Sequence, residues 1–324
     1  MADAAPKAPV ALFAFNRPGV LARVLEKLSR CDDLDGGGAR KAFVFVDAPR
    51  EGRNEEARVN QVVDILRDFK SSHLPQLEIV RRESNFGLRR NIREGISAVL
   101  TEFGRAVVME DDFLVGKYFL QYMDAALERY VDDGRIWCIN AGRPRYVSVP
   151  MSYKEDVYLS SRNICGNWGV WKDRWDAVDF DISDWQEFKS APGNLERIDR
   201  TGIDVKWMMD AQYRGELNSW AVACTYHMVK NGLFAVEPRL ALVKHIGYGD
   251  DSVHCGEEDV VVATAKYYDF MPQLPERIVP DERIMSQLKY MVKCPLKVER
   301  IRRKILRAIW RIGPCHDEPI AVNR

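Results

Sequence analysis

The residues best suited to chemistry in this 324-residue chain stand together at Glu110, Asp111 and Asp112. They follow Arg105-Ala106-Val107-Val108-Met109, a mostly apolar run of strand-forming residues. A buried strand could not carry three consecutive carboxylates without a counter-charge or a metal. Carboxylates at the C-terminal end of a strand, facing a crevice, suit a hard divalent cation with oxygen ligands, which keeps several waters and binds substrate phosphates. Taken alone, the stretch also fits a solvated acidic turn after an edge strand, so the surrounding elements must decide.

Those elements repeat. Residues 9–15 form a continuous apolar run, and Asn16-Arg17-Pro18-Gly19 then turns into Val20, Leu21, Val24, Leu25 and Leu28 at helical spacing. After Gly36-Gly37-Gly38, a second apolar run at 42–46 closes on Asp47-Ala48-Pro49-Arg50. A lone Asp in that position either hydrogen-bonds a nucleoside or caps the next helix. Val59, Val62, Val63, Leu66 and Phe69 predict a helix, and 77–80 a third strand. The stretch that follows, Arg81 to Asn91, contains Arg82, Arg89 and Arg90 around an Asn85-Phe86-Gly87-Leu88 turn. Guanidinium groups and the free N–H groups of a helix start both favour phosphate oxygens, so this turn could cradle a diphosphate; an exposed basic turn is the alternative. Each polar cluster lies just beyond a strand, as expected of a doubly wound parallel sheet that binds its ligands at the carboxyl edge.

The second half changes character. A long helix is expected over 113–130 and a strand over 136–141, followed by a stretch rich in tryptophan: Trp168, Trp171, Trp175, Trp185, Trp207 and Trp220. Aromatic faces beside polar groups can form a sugar-binding wall, although tryptophans more often fill a core. Short strands are expected at 233–236 and 240–243, before a Gly-rich acidic loop flanked by His245 and His254. Basic residues crowd the region from Lys289 to Arg311, with Val298, Ile301, Ile305, Ile309 and Ile312 at helical steps. Such a helix over 289–312 either meets an anionic membrane surface or packs with a solvated basic face.

The composition is that of an ordinary globular protein, 46% hydrophobic and 30% charged, and 48 basic residues balance 48 acidic ones. No global charge argues for nucleic acid. Seven scattered cysteines without a C-x-x-C pair fit a reducing compartment better than a disulfide framework or a zinc site. No uncharged run approaches the roughly 18 residues of a membrane span, and neither a span nor a signal peptide is expected.

Together, Phe15-Asn16-Arg17-Pro18, Asp47, Asn85-Phe86-Gly87-Leu88, Glu110-Asp111-Asp112, the run from Gly166 to Trp175 and Lys244-His245-Ile246-Gly247 resemble glycosyltransferases of the GT-A fold. The similarity is to bacterial family-two-like sugar transferases and to the N-acetylglucosaminyltransferase I group, and it spans about residues 9–256. It implies a Rossmann-like, mostly parallel α/β sheet flanked by helices. Residues 1–142 would be the nucleotide-sugar-binding half, 143–260 an aromatic-rich acceptor half of the same domain, and 261–324 an extension with the basic helix.

The resemblance also implies roles. Phe15, Asn16, Arg17 and Asp47 would face the nucleoside, and Asn85, Gly87 and Leu88 would line the same pocket. Arg89 or Arg90 would lie near the diphosphate, alongside Glu110 and Asp111. Asp112 and Asp111 would hold Mn²⁺ or Mg²⁺, with His245 or His254 closing over the phosphates. Gly166, Trp168 and Trp220 would shape the acceptor side. Relatives place a general base just before a Trp, where this chain has Glu216-Leu217-Asn218-Ser219-Trp220. Asn218 cannot take a proton, which leaves Asp210, Glu216 or Asp184. The function implied is metal-dependent, inverting transfer from a UDP-sugar to a saccharide or lipid-linked saccharide in bacterial surface-glycan assembly, at the cytoplasmic face of the membrane. A catalytically silent protein that binds a nucleotide-sugar or a partner is the alternative. A nucleotidyltransferase fits less well, because Asn16-Arg17-Pro18-Gly19 is too short for its loop.

Overall fold

The computed structural model describes residues 7–31, 40–71, 74, 76–144, 147–164, 166–247 and 267–290. Strand β1 (Val10–Ala14) turns through Asn16 and Arg17 into helix α1 (Pro18–Leu28), whose leading proline has no N–H to leave unsatisfied. The unit repeats as β2 (Lys41–Val46) and α2 (Glu56–Asp68), then as β3 (Gln76–Arg81) and α3 (Gly87–Phe103), and ends in β4 (Arg105–Glu110). These strands pair in parallel in the order β3-β2-β1-β4, with Leu12 opposite both Val44 and Met109. The order reverses between β1 and β4, and the segments leaving their carboxyl ends diverge there. A crevice at such a switch point is where open α/β sheets bind ligands.

Alternation along the strands builds two cores. Val10, Leu12, Val107 and Met109 join one with Leu21 and Val24 of α1, while Ala11, Phe13, Ala106 and Val108 join the other with Ile92 and Ile96 of α3. Because both faces are covered, the strands read as continuous apolar runs.

The chain continues through β5 (Phe113–Val115), α4 (Phe119–Arg129), β6 (Ile136–Asn140), β7 (Val157–Ser160) and β8 (Trp168–Trp171). Five helices follow: α5 (Lys172–Asp176), α6 (Trp185–Ser190), α7 (Asn194–Thr201), α8 (Val205–Tyr213) and α9 (Trp220–Asn231). Strands β9 (Phe234–Pro238) and β10 (Val243–His245) and helix α10 (Glu282–Leu288) complete the described elements. The full sheet runs β3-β2-β1-β4-β8-β6-β9-β7, with β8 antiparallel to both its neighbours and β7 antiparallel to β9. It is therefore parallel on one side and mixed on the other. One sheet runs across the boundary expected at 142, since β6 lies between β8 and β9. The described part of the C-terminal segment packs on the same body, with Ile284 and Leu288 buried in the core.

Two expectations are corrected. The helix expected over 113–130 begins only at Phe119, because Phe113 to Val115 pair with β10 as a two-stranded ribbon. The strand expected at 240–243 instead runs from Val243 to His245, for the same reason. Tertiary pairing overrides local spacing in such short pieces. The basic helix expected over 289–312 lies outside the described residues beyond Tyr290. Among the described residues no helix is long and apolar enough to cross a membrane.

Glu237 on β9 is fully buried, and one carboxyl oxygen accepts from Asn140 Nδ2 at 2.8 Å. The other has no partner among the described residues, and burial pushes the carboxyl up to about 8. An acid whose folded pKa exceeds its unfolded value of roughly 4.3 binds more protons when folded, so stability falls as pH rises between the two values. Glu237→Gln is expected to gain on the order of 2 kcal/mol at pH 7.5 and to flatten that slope. Urea unfolding at pH 5 and pH 7.5 checks this; equal differences from the parent at both pH values would contradict it.

Candidate active site

A cavity of about 430 Å³ opens where β1 and β4 end. Parallel register places Phe13 opposite Glu110, so Arg17, in the turn beyond β1, meets the acidic turn beyond β4. Its guanidinium hydrogen-bonds Asp111 Oδ1 and lies 3.0 Å from Asp112 Oδ2. The β5–β10 ribbon sets His245 opposite Phe113, with the rings 4.7 Å apart and His245 Nε2 3.3 Å from Asp112 Oδ2. Gly247 follows closely. A Cβ there would lie 2.5 Å from Asp112 Oδ2 and 3.0 Å from Arg17 Nη1, so a side chain at this position would push the pair apart.

The other end of the cavity is built from strand-end turns. Asp47 Oδ1 accepts from the backbone N–H groups of Ala48 and Phe86, at 3.0 and 2.8 Å, and Oδ2 from Gly87 at 2.9 Å. Asp47 thus caps the start of α3 and not that of α2, the next helix along the chain. Asn85 Nδ2 donates to Ala48 O at 2.6 Å, and Asn16 Nδ2 to Glu55 Oε1 at 3.1 Å. Phe15 carries the Arg50 guanidinium 5.5 Å from its ring centre. The result is a wall of aromatic, amide and backbone groups with its polar atoms already fixed.

Electrostatically, three carboxylates share one guanidinium. Burial pushes Glu110 up to about 8, and the charges of Asp112 and Asp111 add to the shift. Burial also raises Asp111, to about 6, against the pull of Arg17. Asp112 goes the other way: burial opposes its charge, but the hydrogen bond from His245 and the Arg17 charge hold it below the usual carboxylate range. Arg17 itself is buried, which works against its charge, yet Asp111 and Asp112 raise its pKa. The cluster is short of positive charge, which a proton or a cation can supply.

Two buried oxygens mark where a cation fits. Asp111 Oδ2 and Asp112 Oδ1 have no hydrogen-bond partner among the described residues. They are hard oxygen donors of the kind Mg²⁺ and Mn²⁺ take, and such ions need few protein ligands when water and phosphate complete the shell. Among the described residues no group of three His, Cys, Asp or Glu side chains forms a metal cage. A cation here would rest on Asp111 and Asp112 and draw its other ligands from substrate and solvent.

The cavity brings together Phe15, Asn16, Arg17, Asp47, Asn85, Gly87, Leu88, Glu110, Asp111, Asp112 and His245. It leaves out Arg89 and Arg90, which line a neighbouring recess. His254 lies outside the described residues. The expected acceptor wall is not assembled: Trp168 is fully buried, stacked between Trp137 and Trp220 with ring centres 5.5 Å apart on each side. Neither face of Trp168 is left for a sugar, and Trp220 is buried too. Gly166, at φ +106°, supports Glu110 instead, its backbone N–H bonding the carboxylate.

The three base candidates are held elsewhere by donors, and none lines the cavity. Burial opposes the Asp210 charge, but Lys189, Lys206 and Trp185 Nε1 hold that carboxylate well below its usual range. Asp184 accepts from Tyr226 and Lys230, and exposed Glu216 pairs with Arg214. Sequence reasoning missed Arg50, Asn91 and Gly247 as lining residues. Arg50 and Gly247 sit in strand-end segments like the residues it named, and Asn91 lies in the early part of α3, just past the Asn85-Phe86-Gly87-Leu88 turn; that placement was the available signal.

No protein-family model and no curated protein matches the chain. Solved structures similar to it include those of S. aureus TarS. TarS 1-349 matches at 14% identity and a TM-score of 0.40, covering 75% of this chain and 61% of that one. A TarS crystal structure matches at 16% identity and a TM-score of 0.34, covering 54% and 30%. TarS 1-349 in complex with UDP-GlcNAc matches at 14% identity and a TM-score of 0.34, covering 52% and 46%. The chain thus spans less than two thirds of the length of TarS 1-349. At TM-scores this low the likeness decides neither site nor activity, and the residues themselves must carry the reading.

Removing Arg17 should expose the charge imbalance. Arg17→Met is expected to cost roughly 3–5 kcal/mol at pH 8, the usual penalty for leaving buried charges uncompensated. The loss should shrink at pH 5, where Asp111 and Glu110 take up protons. Urea denaturation at the two pH values reads the difference, and a loss that does not change with pH would refute this account.

Proposed function

We propose that this chain is a glycosyltransferase of the GT-A type that moves a sugar from a UDP-sugar to a saccharide or lipid-linked saccharide. The observation that carries the reading is the pair of unpartnered, buried carboxylate oxygens on Asp111 and Asp112, beside Arg17, at the switch point of the sheet. A cavity with a cation-hungry end, an arginine and an aromatic-amide wall suits a nucleoside diphosphate lying along it. The choice of uridine, and of bacterial surface glycans at the membrane as the setting, follows from the resemblance of the sequence motifs.

In this reading Asp112 and Asp111 hold Mn²⁺ or Mg²⁺, and His245 orients Asp112. The ion would supply charge stabilisation for the departing diphosphate. Arg17 binds a diphosphate oxygen from the other side of the acidic pair. Phe15 and Asn16 meet the nucleoside, while Asp47 keeps the start of α3 in place behind it. Inverting transfer also needs a carboxylate near the acceptor hydroxyl. Among the described cavity residues Glu110 is the carboxylate that neither Arg17 nor a helix start engages directly, so we assign it that proton. With its carboxyl pushed up to about 8, it can serve as base only in the ionised fraction, and transfer should rise as pH approaches that value.

A second reading, binding of a nucleotide-sugar without transfer, gains from the pairing of Asp184, Asp210 and Glu216 away from the cavity. Two measurements separate the readings. UDP with Mn²⁺, well above its Kd, is expected to raise the melting temperature by several degrees, and Asp112→Asn should remove the Mn²⁺-dependent part. If no nucleoside diphosphate shifts the melting temperature, the proposal falls. Glu110→Gln should lower donor turnover by about 10²–10⁴-fold while UDP still binds. A parent that binds UDP-sugars but neither hydrolyses nor transfers them would establish the binding-only reading.

A further inference from the structure

We infer that the recess beside the cavity, lined by Arg89, Arg90 and Arg93, binds an oxyanion carried by the second substrate, so that the acceptor is an acidic saccharide. The acceptor part rests on the transferase reading above; the anion site does not. The recess has a volume of about 450 Å³, and its wall combines the three arginines and Asn218 with an apolar lip of Phe86 and Leu88. No carboxylate is among its lining residues. It shares Gly87 and Leu88 with the cavity, so a molecule in one borders a molecule in the other.

The arginines are held in place, and two of the three are paired with a carboxylate. Arg89 donates to Phe180 O at 2.7 Å, to Asp181 Oδ1 at 3.0 Å and to Asn218 Oδ1 at 2.6 Å, yet its buried Nε has no partner among the described residues. Arg93 lies 4.3 Å from the Phe180 ring centre and has no ion pair among the described residues. Arg90 stacks 3.7 Å from the Phe86 ring centre and pairs with exposed Glu94 at 2.6 Å. Asp181 and Glu94 balance two of the three charges, and both pairs are partly open to solvent. Arg89 and Arg93 are an i,i+4 pair of like charge on α3, an arrangement that is unfavourable until an anion bridges it. Planar guanidinium forks match the paired oxygens of phosphate and carboxylate.

Asn218 fits this picture. Its Oδ1 is taken by Arg89, which leaves its NH₂ to donate to an anion. A carboxylate at that position would instead neutralise the recess. The departure from the glycosyltransferase pattern at this residue then has a purpose on the acceptor side.

The test is calorimetric titration of the full chain, saturated with UDP and Mg²⁺, with glucose 1-phosphate, glucuronate or neutral glucose. One of the two acidic sugars is expected to bind at least tenfold tighter than glucose, and which one does tells phosphate from carboxylate. Arg89→Gln/Arg93→Gln, and Arg93→Gln alone in case the double variant fails to fold, should remove most of that preference. UDP affinity should change less than twofold in both. Asn218→Asp should weaken acidic-sugar binding and leave glucose unaffected. Acidic sugars that bind no better than glucose, that bind the variants as well as the parent, or that compete with UDP would each overturn the inference. If UDP itself fails to bind, the donor reading falls, and the same titrations without UDP still decide the recess.

Discussion

The contact on which the rest depends is the one between Arg17 and the carboxylates of Asp111 and Asp112. Buried charges of one sign are tolerated only when something of the other sign is held against them. Here that partner comes from the turn after β1, about a hundred residues away in sequence, and parallel pairing of β1 with β4 brings the two strand ends level. Each structural choice nearby serves this meeting. Pro18 starts α1 directly after Arg17, and Gly247 permits the closing segment to approach without a side chain.

The sheet supplies the geometry and the two cores supply the rigidity. On one face, aliphatic residues of β1 and β4 pack against α1. On the other, α3 and the stacked indoles of Trp137, Trp168 and Trp220 form a broad aromatic layer. That layer fixes β8 against β4 and holds α9 where Asn218, just before it, can meet Arg89. These three indoles shape the second half of the molecule from within.

Much of this was legible in the sequence because burial on both faces leaves a simple trace. Apolar runs end where the sheet ends, and the polar residues just beyond them, such as Arg17, Asp47, Asn85 and Asp112, fall on one edge. What was not legible depends on partners far away in the chain. No local spacing says that Phe113 will pair with His245, that Asp210 will be surrounded by Lys189, Lys206 and Trp185, or that both faces of Trp168 will be covered by other indoles. An aspartate before a tryptophan looks the same whether it takes a proton or anchors a lysine. Arg89 and Arg90 read as part of the diphosphate cradle for a similar reason, since position along a helix does not reveal which of two adjoining hollows a side chain enters.

The β5–β10 ribbon bears on the order in which the molecule comes together. Asp112 and His245 are separated by 133 positions, and among the described residues the strand carrying His245 pairs with the short strand that follows the acidic turn. Closing so long a loop has an entropic cost that is recovered only when the late strand docks. On a ribosome, the first four strands can pair well before that strand has been made. The acidic turn would stay open to water through most of synthesis, gaining its histidine only when nearly the whole sheet exists. Completion of the site is thereby tied to completion of the fold.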